Sequence, residues 1–434
     1  MMPEKIHTWL AVGLVAVLAL VPAARAGFDS GATPMALPVV QAAPKAEEKS
    51  PVTVDWTLGA KASVTTQGNP QWVDSHAWLK GRAEALTEAG WFFLAEGRVL
   101  VLPKTDHRSR DKDLAPAWRP KQAYAQVEGG GLTWTAGYQI LAWGEADSAA
   151  VTDIAAPRDR EDLIFKEVEE MRFGQWALAG EIFQDWGSLQ LFVSPWAETD
   201  RLPRFGNRYE ARLPGNPRVK DQSPDFGQGE AGLRYASTRG KWEWALMGGW
   251  FRANSPVLDG GTVLHARYPG FAMAGGTATW VGGNVLVKAE LAVKAGHPLQ
   301  GTTGTGFDAR EGNLADGMLG LEYTTNDQTK FTLEASHRRI FSDTAGLSLP
   351  HRDRTALFLT LGKSVWHDTL DLEYQCFYHL RDQDLCHSLK ADYQISDPLT
   401  LRGRLQFIQS GEGTTPLGPF HREDRVSVEL IYHL

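Results

Sequence analysis

Apolar and polar residues alternate through most of the chain after residue 51. In VTVDWTLGAKASV (52–64), the apolar positions share one face of an extended strand, and Thr53, Asp55 and Lys61 lie on the other. NVLVKAELAVK (284–294) and DTLDLEYQCFYHL (368–380) repeat the pattern. About eighteen such segments occur, each near the ~9–11 residues that a tilted strand needs to cross a bilayer. The pattern predicts an all-β protein whose strands each have one apolar face.

The connections between these segments alternate between short and long. TEAG (87–90), EGGG (128–131) and VGGN (281–284) have the composition of tight hairpin turns. The predicted strands begin near Val52, His76, Trp91, Gln122, Leu132, Gln175, Ser188, Gly229, Lys241, Ala272, Asn284, Leu314, Thr329, Arg354, Trp366, Asp384, Leu399 and Arg425. The long connections are 103–121, 142–173, 196–227, 253–270, 296–313, 342–353 and 410–423. This arrangement predicts a transmembrane antiparallel β-barrel of about 18 strands, or alternatively about 16, with short periplasmic turns and long outer loops.

The first residues have the features of an export signal. Lys5 precedes an apolar run over 10–21, and Ala24-Arg25-Ala26 is typical of a signal-peptidase site. We therefore expect a signal peptide (1–26), a flexible periplasmic lead-in (27–50) and a barrel domain (51–434) in the outer membrane of a Gram-negative bacterium. The formal net charge of -8 argues against nucleic acid as a partner.

A water-soluble β-sandwich would show the same alternation, but two further features favour the barrel. Trp and Tyr recur near strand ends, as a membrane interface favours, and charged residues recur on the polar face of most strands. The charged positions predicted to line the lumen wall are Lys80, Arg82, Glu96, Arg98, Arg402 and Arg404. Because both signs are present, we expect these side chains to pair with one another and to give weak charge selectivity; a dedicated binding track is the alternative.

The two cysteines lie on either side of a short outer hairpin. Pairing around 381–382 sets Cys376 opposite His387, and Cys386 opposite Phe377, so the two thiols point to different faces of the sheet. This register argues against a disulfide, although a bulge would permit one. The sequence has no haem-attachment motif and no Cys/His cluster of metal-binding type, so we expect no cofactor, no metal and no catalytic residues.

One long connection carries a more specific pattern, GYQILAWGEADSAAVTDIAAPRDREDLIFKEVEEMRFG (137–174). It resembles the hallmark segment of a family of proteobacterial outer-membrane proteins of unknown function. The matching positions are Gly137, Gln139, Trp143, Gly144, Glu145, Asp147, Asp153, Pro157, Asp159, Glu169 and Arg172. Ser148 and Ala156 depart from the family's usual Gly and Asn. The resemblance implies a porin-like barrel without an assigned substrate, and it supplies no catalytic residues.

The same segment is the candidate functional region of the chain. A helix beginning near Pro157 and Asp159 would fit the residues that follow, since acidic side chains complement the start of a helix. If loop 142–173 folds inward it constricts the pore; the alternative is an outer cap that stays above the lumen. The candidate constriction or ligand-binding residues are Glu145, Asp147, Asp153, Arg158, Asp159 and Arg172.

Three classes of function remain after these exclusions. The first is a porin-like channel for diffusion or selective transport of small polar solutes. The second is a structural barrel that sheathes a lumen-threading protein, such as a periplasmic electron carrier. The third, a barrel enzyme, is disfavoured because the histidines are scattered among outer loops and strand ends. Expected partners are outer-membrane lipid, the barrel-assembly machinery, and a small polar solute or the threaded protein.

Overall fold

The fold is a closed antiparallel β-barrel of eighteen strands, as the sequence predicts. The computed structural model describes residues 52–67, 70–73, 75–102, 115–161, 168–202, 218–304, 306–349, 351–410, 415, 417–421 and 423–434. The expected signal peptide and lead-in lie outside these residues.

The strands in chain order are β1 (Val52–Thr65), β2 (His76–Leu86), β3 (Trp91–Leu102), β4 (Ala115–Gly129), β5 (Leu132–Gln139), β6 (Gln175–Gln184), β7 (Gly187–Ser194), β8 (Arg218–Gln222), β9 (Glu230–Arg239), β10 (Trp242–Arg252), β11 (Val257–Gly260), β12 (Val263–Arg267), β13 (Gly270–Gly282), β14 (Val285–Thr303), β15 (Gly306–Thr324), β16 (Lys330–Ile340), β17 (Asp353–Val365), β18 (Leu370–His379), β19 (Leu385–Ser396), β20 (Leu399–Gln409) and β21 (Arg425–His433). A one-turn helix, α1, spans Val168–Met171, and a 3-10 turn spans Gly418–Phe420.

Pairing between the first and last strands closes the barrel. β1 pairs with β21 in antiparallel register, with Lys61 opposite Glu429. Each barrel strand pairs with the next, and the chain skips β8 between β7 and β9 and skips β11–β12 between β10 and β13. Those three short strands pair with one another in the long connections. Within the described residues, no helix combines the length and apolar character needed to cross a bilayer.

The outer surface of the barrel is apolar. Leu246, Leu291 and Leu319 are 58 %, 58 % and 66 % exposed, and tryptophans lie exposed near strand ends, among them Trp91 and Trp242. An apolar surface of this extent is far larger than a soluble monomer tolerates, and the aromatic residues match a membrane-interface belt. A surface of this kind is stable only in contact with lipid. Closure of the sheet gives the backbone N–H and C=O groups of every barrel strand a hydrogen-bond partner.

Short hairpin turns connect the strands at one end of the barrel. Gly129 pairs with Leu132, which leaves a two-residue turn at 130–131 with φ of 65° and 77°. Two consecutive positive φ angles favour glycine strongly and match the hairpin turn whose twist suits the flanking strands. We call this end of the barrel the turn end and the opposite end the loop end.

Strand boundaries differ from the predicted ones mainly at the loop end. β4 begins at Ala115 rather than near Gln122, and β15 begins at Gly306 rather than near Leu314. The predicted long loop 296–313 is instead the extended tip of the β14–β15 hairpin, which also pairs with β11. Beyond the membrane zone these strands need no apolar face, so their Gly-rich and Thr-rich sequence does not alternate.

The cysteine register is the predicted one. Cys376 pairs with His387 and Phe377 pairs with Cys386, and both cysteines are free thiols. Cys386 points inward and packs against Ile408 and Leu417.

Candidate functional site

The chain enters the barrel immediately after β5. β5 ends at Gln139, and residues 140–161, here called the inner segment, continue without a regular helix or strand. Most of the inner segment is buried: Trp143 and Val151 are each 2 % exposed and Thr152 is 0 % exposed. Its partners lie on the inward faces of the barrel strands, so the inner segment occupies the lumen and is not an outer cap.

Glu290 of β14 is the main contact between the wall and the inner segment. Its strand neighbour Leu291 faces lipid, so Glu290 points into the lumen. One carboxylate oxygen accepts hydrogen bonds from the main-chain N–H of Glu145 and of Ala146 (2.6 Å). The other accepts from the main-chain N–H (3.2 Å) and the hydroxyl (2.8 Å) of Thr152. A single wall carboxylate therefore satisfies donors from two parts of the inner segment, each by a charge-assisted bond.

A second contact joins the inner segment to β14 and β16. Glu334 accepts hydrogen bonds from the main-chain N–H groups of Asp147 (3.1 Å) and Ser148 (2.8 Å). The Lys288 ammonium lies 2.7 Å from Asp147, 2.8 Å from Glu322 and 3.0 Å from Glu334. Lys288 follows the turn at 283–284 by about four residues, roughly 13 Å along the strand. The inner segment therefore descends well below the loop end.

An aromatic cluster packs the inner segment against the wall. The Trp143 ring lies edge-on to Phe192 of β7 and Phe251 of β10, with centroid distances of 5.3 and 6.0 Å. The indole N–H donates to Gln190 at 2.8 Å. A Cβ at Gly232 of β9 would lie 2.5 Å from the Trp143 ring, so this wall position has room only for glycine. Each edge-to-face pair contributes about 0.5–1.5 kcal/mol beyond the area it buries.

Three predicted site residues form one ionic cluster. One carboxylate oxygen of Asp153 accepts hydrogen bonds from Arg158 Nη2 (2.9 Å) and Arg172 Nε (2.8 Å). The other oxygen accepts a hydrogen bond from the main-chain N–H of Trp143 (3.3 Å). Asp153 is 2 % exposed. Arg158 and Arg172 neutralise the Asp153 carboxylate, so the cluster presents no free carboxylate to the pore. Because the two arginines come from different parts of the β5–β6 connection, the cluster also joins the two ends of that connection.

The helix predicted to begin near Pro157 and Asp159 is not observed there. The Asp159 and Arg160 N–H groups donate to the main-chain oxygens of Met171 (2.6 Å) and Arg201 (2.8 Å). The Arg158 N–H donates to the Asp200 carboxylate at 2.8 Å. Arg158 and Asp159 thus form β-bridges with Arg172 and Arg201 where a first helical turn was predicted, and the only helical turn among the described residues of the connection is α1. Residues 162–167 lie outside the described part of the chain.

The remaining predicted candidates are dispersed. Asp159 lies 3.8 Å from Arg119 of the wall and 4.0 Å from Arg201. Glu145 contacts Glu290 through its main chain, while Asp147 pairs with Lys288 and is exposed to the lumen. Burial, together with the nearby Glu243 and Glu290 carboxylates, raises the pKa of Glu145 above its usual range. The six candidate residues therefore occupy several positions along one segment and do not converge on a single point.

The opposite wall carries most of the predicted lumen residues. Lys80 lies 2.9 Å from Glu96, to which Arg82 also pairs at 3.4 Å. Arg402 pairs with Asp392 at 2.7 Å, and Arg404 follows on the same face of β20. Arg98 lies 3.5 Å from Glu170 of α1 and 4.1 Å above the Trp78 ring, so the connection also reaches this side of the lumen.

Two cavities lined by described residues lie on the inward side of the wall. The loop-end cavity has a volume of about 490 Å³ and is lined by the inner segment and by β10, β13, β14 and β16. The turn-end cavity, about 360 Å³, is lined by residues that include Trp78, Lys80, Glu170 and Arg402, with Asp368 from a short turn.

One acidic cluster has spacing that resembles a metal site. Ligand atoms of His379, Asp382 and Asp384 lie within 4.8 Å of one another. The Asp384 carboxylate already accepts from the hydroxyls of Ser410 (2.6 Å) and Thr415 (2.7 Å) and from the Leu417 N–H (2.9 Å). Its lone pairs are used to join two loop-end connections, which accounts for its burial without a cation.

The wall residues that bind the inner segment were not recognised from the sequence. Lys288 and Glu290 were assigned to the polar face of their strand, but nothing in the alternating pattern singles them out as partners of residues 145–152. The sequence did carry one signal of their role. Both lumen-facing positions hold charged residues, although a wide lumen accepts any polar side chain.

Comparisons with known proteins show that the fold is shared with other proteins, and they show no closer relationship. No family model matches the chain, so membership of the family indicated by residues 137–174 stays a prediction, and no curated protein matches. Acinetobacter baumannii OccAB2 is similar in structure, with a TM-score of 0.54 and 10 % identity over 88 % of this chain and 98 % of that one. Pseudomonas aeruginosa OccK8 (OprE) has a TM-score of 0.52 at 10 % identity, and the outer membrane protein opdK from the same organism 0.51 at 11 %, each over 88 % of this chain and 98 % of its own. At this level of identity the chain shares with them a barrel fold.

Proposed function

We propose that this protein is an outer-membrane channel for small polar solutes, with the inner segment as its constriction. The observation that carries the proposal is the attachment of the inner segment to the inward face of the wall at Glu290 and Glu334, where it occupies lumen space that a solute would otherwise cross. Outer-membrane lipid contacts the apolar face, and the barrel-assembly machinery inserts the chain. The proposal needs no cofactor and assigns no catalytic residue.

The connection between β5 and β6 narrows the lumen from both sides. Asp147 contacts Lys288 on one wall, and Glu170, in the same connection, contacts Arg98 on the other. A solute crossing the barrel must pass between this connection and the charged wall. Paired charges of both signs on that wall favour polar solutes.

The sheath alternative is disfavoured by the same observation. A threaded protein needs an unobstructed lumen, whereas the inner segment packs on the wall through Trp143 and through buried carboxylates. Displacing it would leave Glu290 and Glu334 without the main-chain donors that they now bind.

Planar-bilayer conductance of the purified barrel tests the proposal. Gln139 and Gln175 pair directly across β5 and β6, so a short glycine-rich turn can replace residues 141–172 without separating these strands. We expect the native barrel to conduct weakly and the shortened barrel to conduct several-fold more. A native barrel that never conducts alone and co-purifies with a second protein would refute the channel; equal conductance of the two barrels would refute the constriction.

A further inference from the structure

The loop-end cavity has the size of a small-molecule site. Its volume of about 490 Å³ lies within the ~300–1,000 Å³ that is common for ligand pockets. It lies between the inner segment and the inward face of the wall, on the route that a solute entering from the loop end would take.

The lining of this cavity carries an excess of positive charge. The cationic residues are Arg158, Arg160, Arg252, Lys294, Arg338 and Arg354, against the carboxylates Asp153 and Asp200. The formal excess is four positive charges. Asp316 and Asp382 pair with lining cations from outside the cavity, and counting them still leaves an excess of two.

Several buried nitrogens on this lining have unused hydrogen-bonding capacity. Among the described residues, Arg158 Nε, Arg252 Nε and His297 Nδ1 are buried and have no hydrogen-bond partner. Arg252 uses another of its nitrogens to bind the Tyr268 main-chain oxygen at 3.1 Å. Buried polar atoms without partners are costly, so a bound anion that accepts hydrogen bonds would be stabilised here.

The same cavity also offers an apolar surface. Its apolar lining residues include Ile154, Phe271, Leu299 and Leu347. An inorganic ion would leave this surface without a partner. A ligand with one anionic group and an apolar body fits both parts of the lining.

The turn-end cavity has the opposite charge. Lys80 and Arg402 face four carboxylates there: Glu170, Asp368, Asp371 and Asp392. An anion would therefore be attracted at the loop end and repelled toward the turn end, which makes the loop-end cavity the place where it is retained.

We infer that the loop-end cavity is a binding site for small organic anions with an apolar body, such as a medium-chain carboxylate. The inference rests on the proposed function, because it names the class of solute that the channel would select. The cationic side chains bind the anionic group, and the Phe271 side of the cavity contacts the hydrocarbon.

Binding of hexanoate to the folded barrel in phosphatidylcholine nanodiscs tests the inference without requiring conduction. Hexanamide, which has the same shape and no charge, and acetate, which has the charge and no apolar body, are the matched ligands; empty nanodiscs correct for partition into lipid. We expect saturable hexanoate binding that is at least about tenfold tighter than binding of either comparison ligand.

Variants locate the site. Arg160→Gln changes a side chain that is 37 % exposed and pairs with Asp200. Asp200 keeps its hydrogen bonds from the Arg158 main-chain N–H and the Ser255 hydroxyl, so the variant should preserve folding. We expect it to weaken hexanoate binding by about tenfold, and Arg160→Gln/Arg252→Gln to weaken it further. Lys390→Gln removes a lumen cation that pairs with Glu373 outside this cavity, and should leave the affinity unchanged.

The outcomes separate the two proposals. A conducting barrel that binds hexanoate no better than hexanamide would overturn the inference and leave the channel. Equal affinity in Arg160→Gln and the native barrel would also overturn it. A barrel that binds hexanoate but never conducts would overturn the proposed function and leave the site.

Discussion

Replacing Glu290 by Ala should detach the inner segment from the wall while the barrel stays closed. Glu290 lies on the inward face of β14 and takes part in strand pairing only through its main chain, as partner of Thr277 and Met318. Its carboxylate is used for Glu145, Ala146 and Thr152. The substitution therefore removes the carboxylate contact with the inner segment and retains every main-chain hydrogen bond between the strands.

The hydrogen bonds set the size of the effect. Bonds to a charged acceptor contribute about 1.5–3 kcal/mol each when the donor is left buried. Water already present in the lumen will solvate part of the freed donors, so we take about 1 kcal/mol for each of the four bonds, about 4 kcal/mol in total. This corresponds to about a thousandfold shift toward the detached state. The Glu334 contact and the Trp143 cluster remain, so the detached state is partial.

Limited trypsin digestion and single-channel recording measure this shift. In the native barrel Arg172 pairs with Asp153, and we expect cleavage after it to be slow. In Glu290→Ala, cleavage after Arg172 should accelerate and the current should fluctuate between conductance levels. Glu373→Ala is the matched control, because Glu373 pairs with Lys390 on neighbouring strands away from the inner segment. If Glu290→Ala is cleaved no faster than Glu373→Ala and its current is equally quiet, the carboxylate does not retain the segment.

Three further predictions address packing, protonation and the thiols. Gly232→Ala should loosen the aromatic cluster, because the added Cβ would lie 2.5 Å from the indole ring, and we expect a loss of about 1–3 kcal/mol in the stability of the folded barrel. Glu145→Gln should raise the thermal stability at neutral pH, since a raised pKa means that the folded barrel favours the neutral carboxyl; the gain should disappear as the pH falls through that pKa. Denatured protein that was never reduced should take up alkylating reagent at both Cys376 and Cys386.

A different experimental result would contradict each of these three predictions. Gly403→Ala adds a Cβ with nothing within 4 Å, so an equal loss in both glycine variants would show that the loss does not come from contact with the Trp143 ring. A gain in Glu145→Gln that persists at low pH would rule out the protonation argument. Alkylation that requires prior reduction would demonstrate a disulfide and contradict the register.

The fold could be predicted from the sequence because lipid imposes a simple rule. A strand that separates lipid from a polar lumen must alternate, so Leu291 outward and Glu290 inward are visible in the pattern. Tight turns such as 130–131 are visible because two consecutive positive φ angles strongly favour glycine. Where the chain leaves the membrane, as in the β14–β15 tip, the rule no longer applies and the predicted boundaries were wrong.

The site could be predicted only as a region. Residues 137–174 were identified as unusual, and the inward and outward positions of that connection were both consistent with its composition. The deciding contacts join residues far apart in the chain: Glu290 lies over 130 positions from the segment that it binds. The inner segment is bound largely through its main-chain N–H groups, and such groups leave no signature in the sequence of the segment.

The sequence by itself determined the strand number to within about two, the face that meets lipid, and the register of hairpins such as the one that separates Cys376 from Cys386. Those properties follow from local periodicity and short-range pairing. The tertiary structure alone decided that residues 140–161 lie inside the lumen, and that cations gather at one end of it. Closure of the barrel brings distant strands around a single space, and the balance of charge and hydrogen bonds in that space depends on all of them at once.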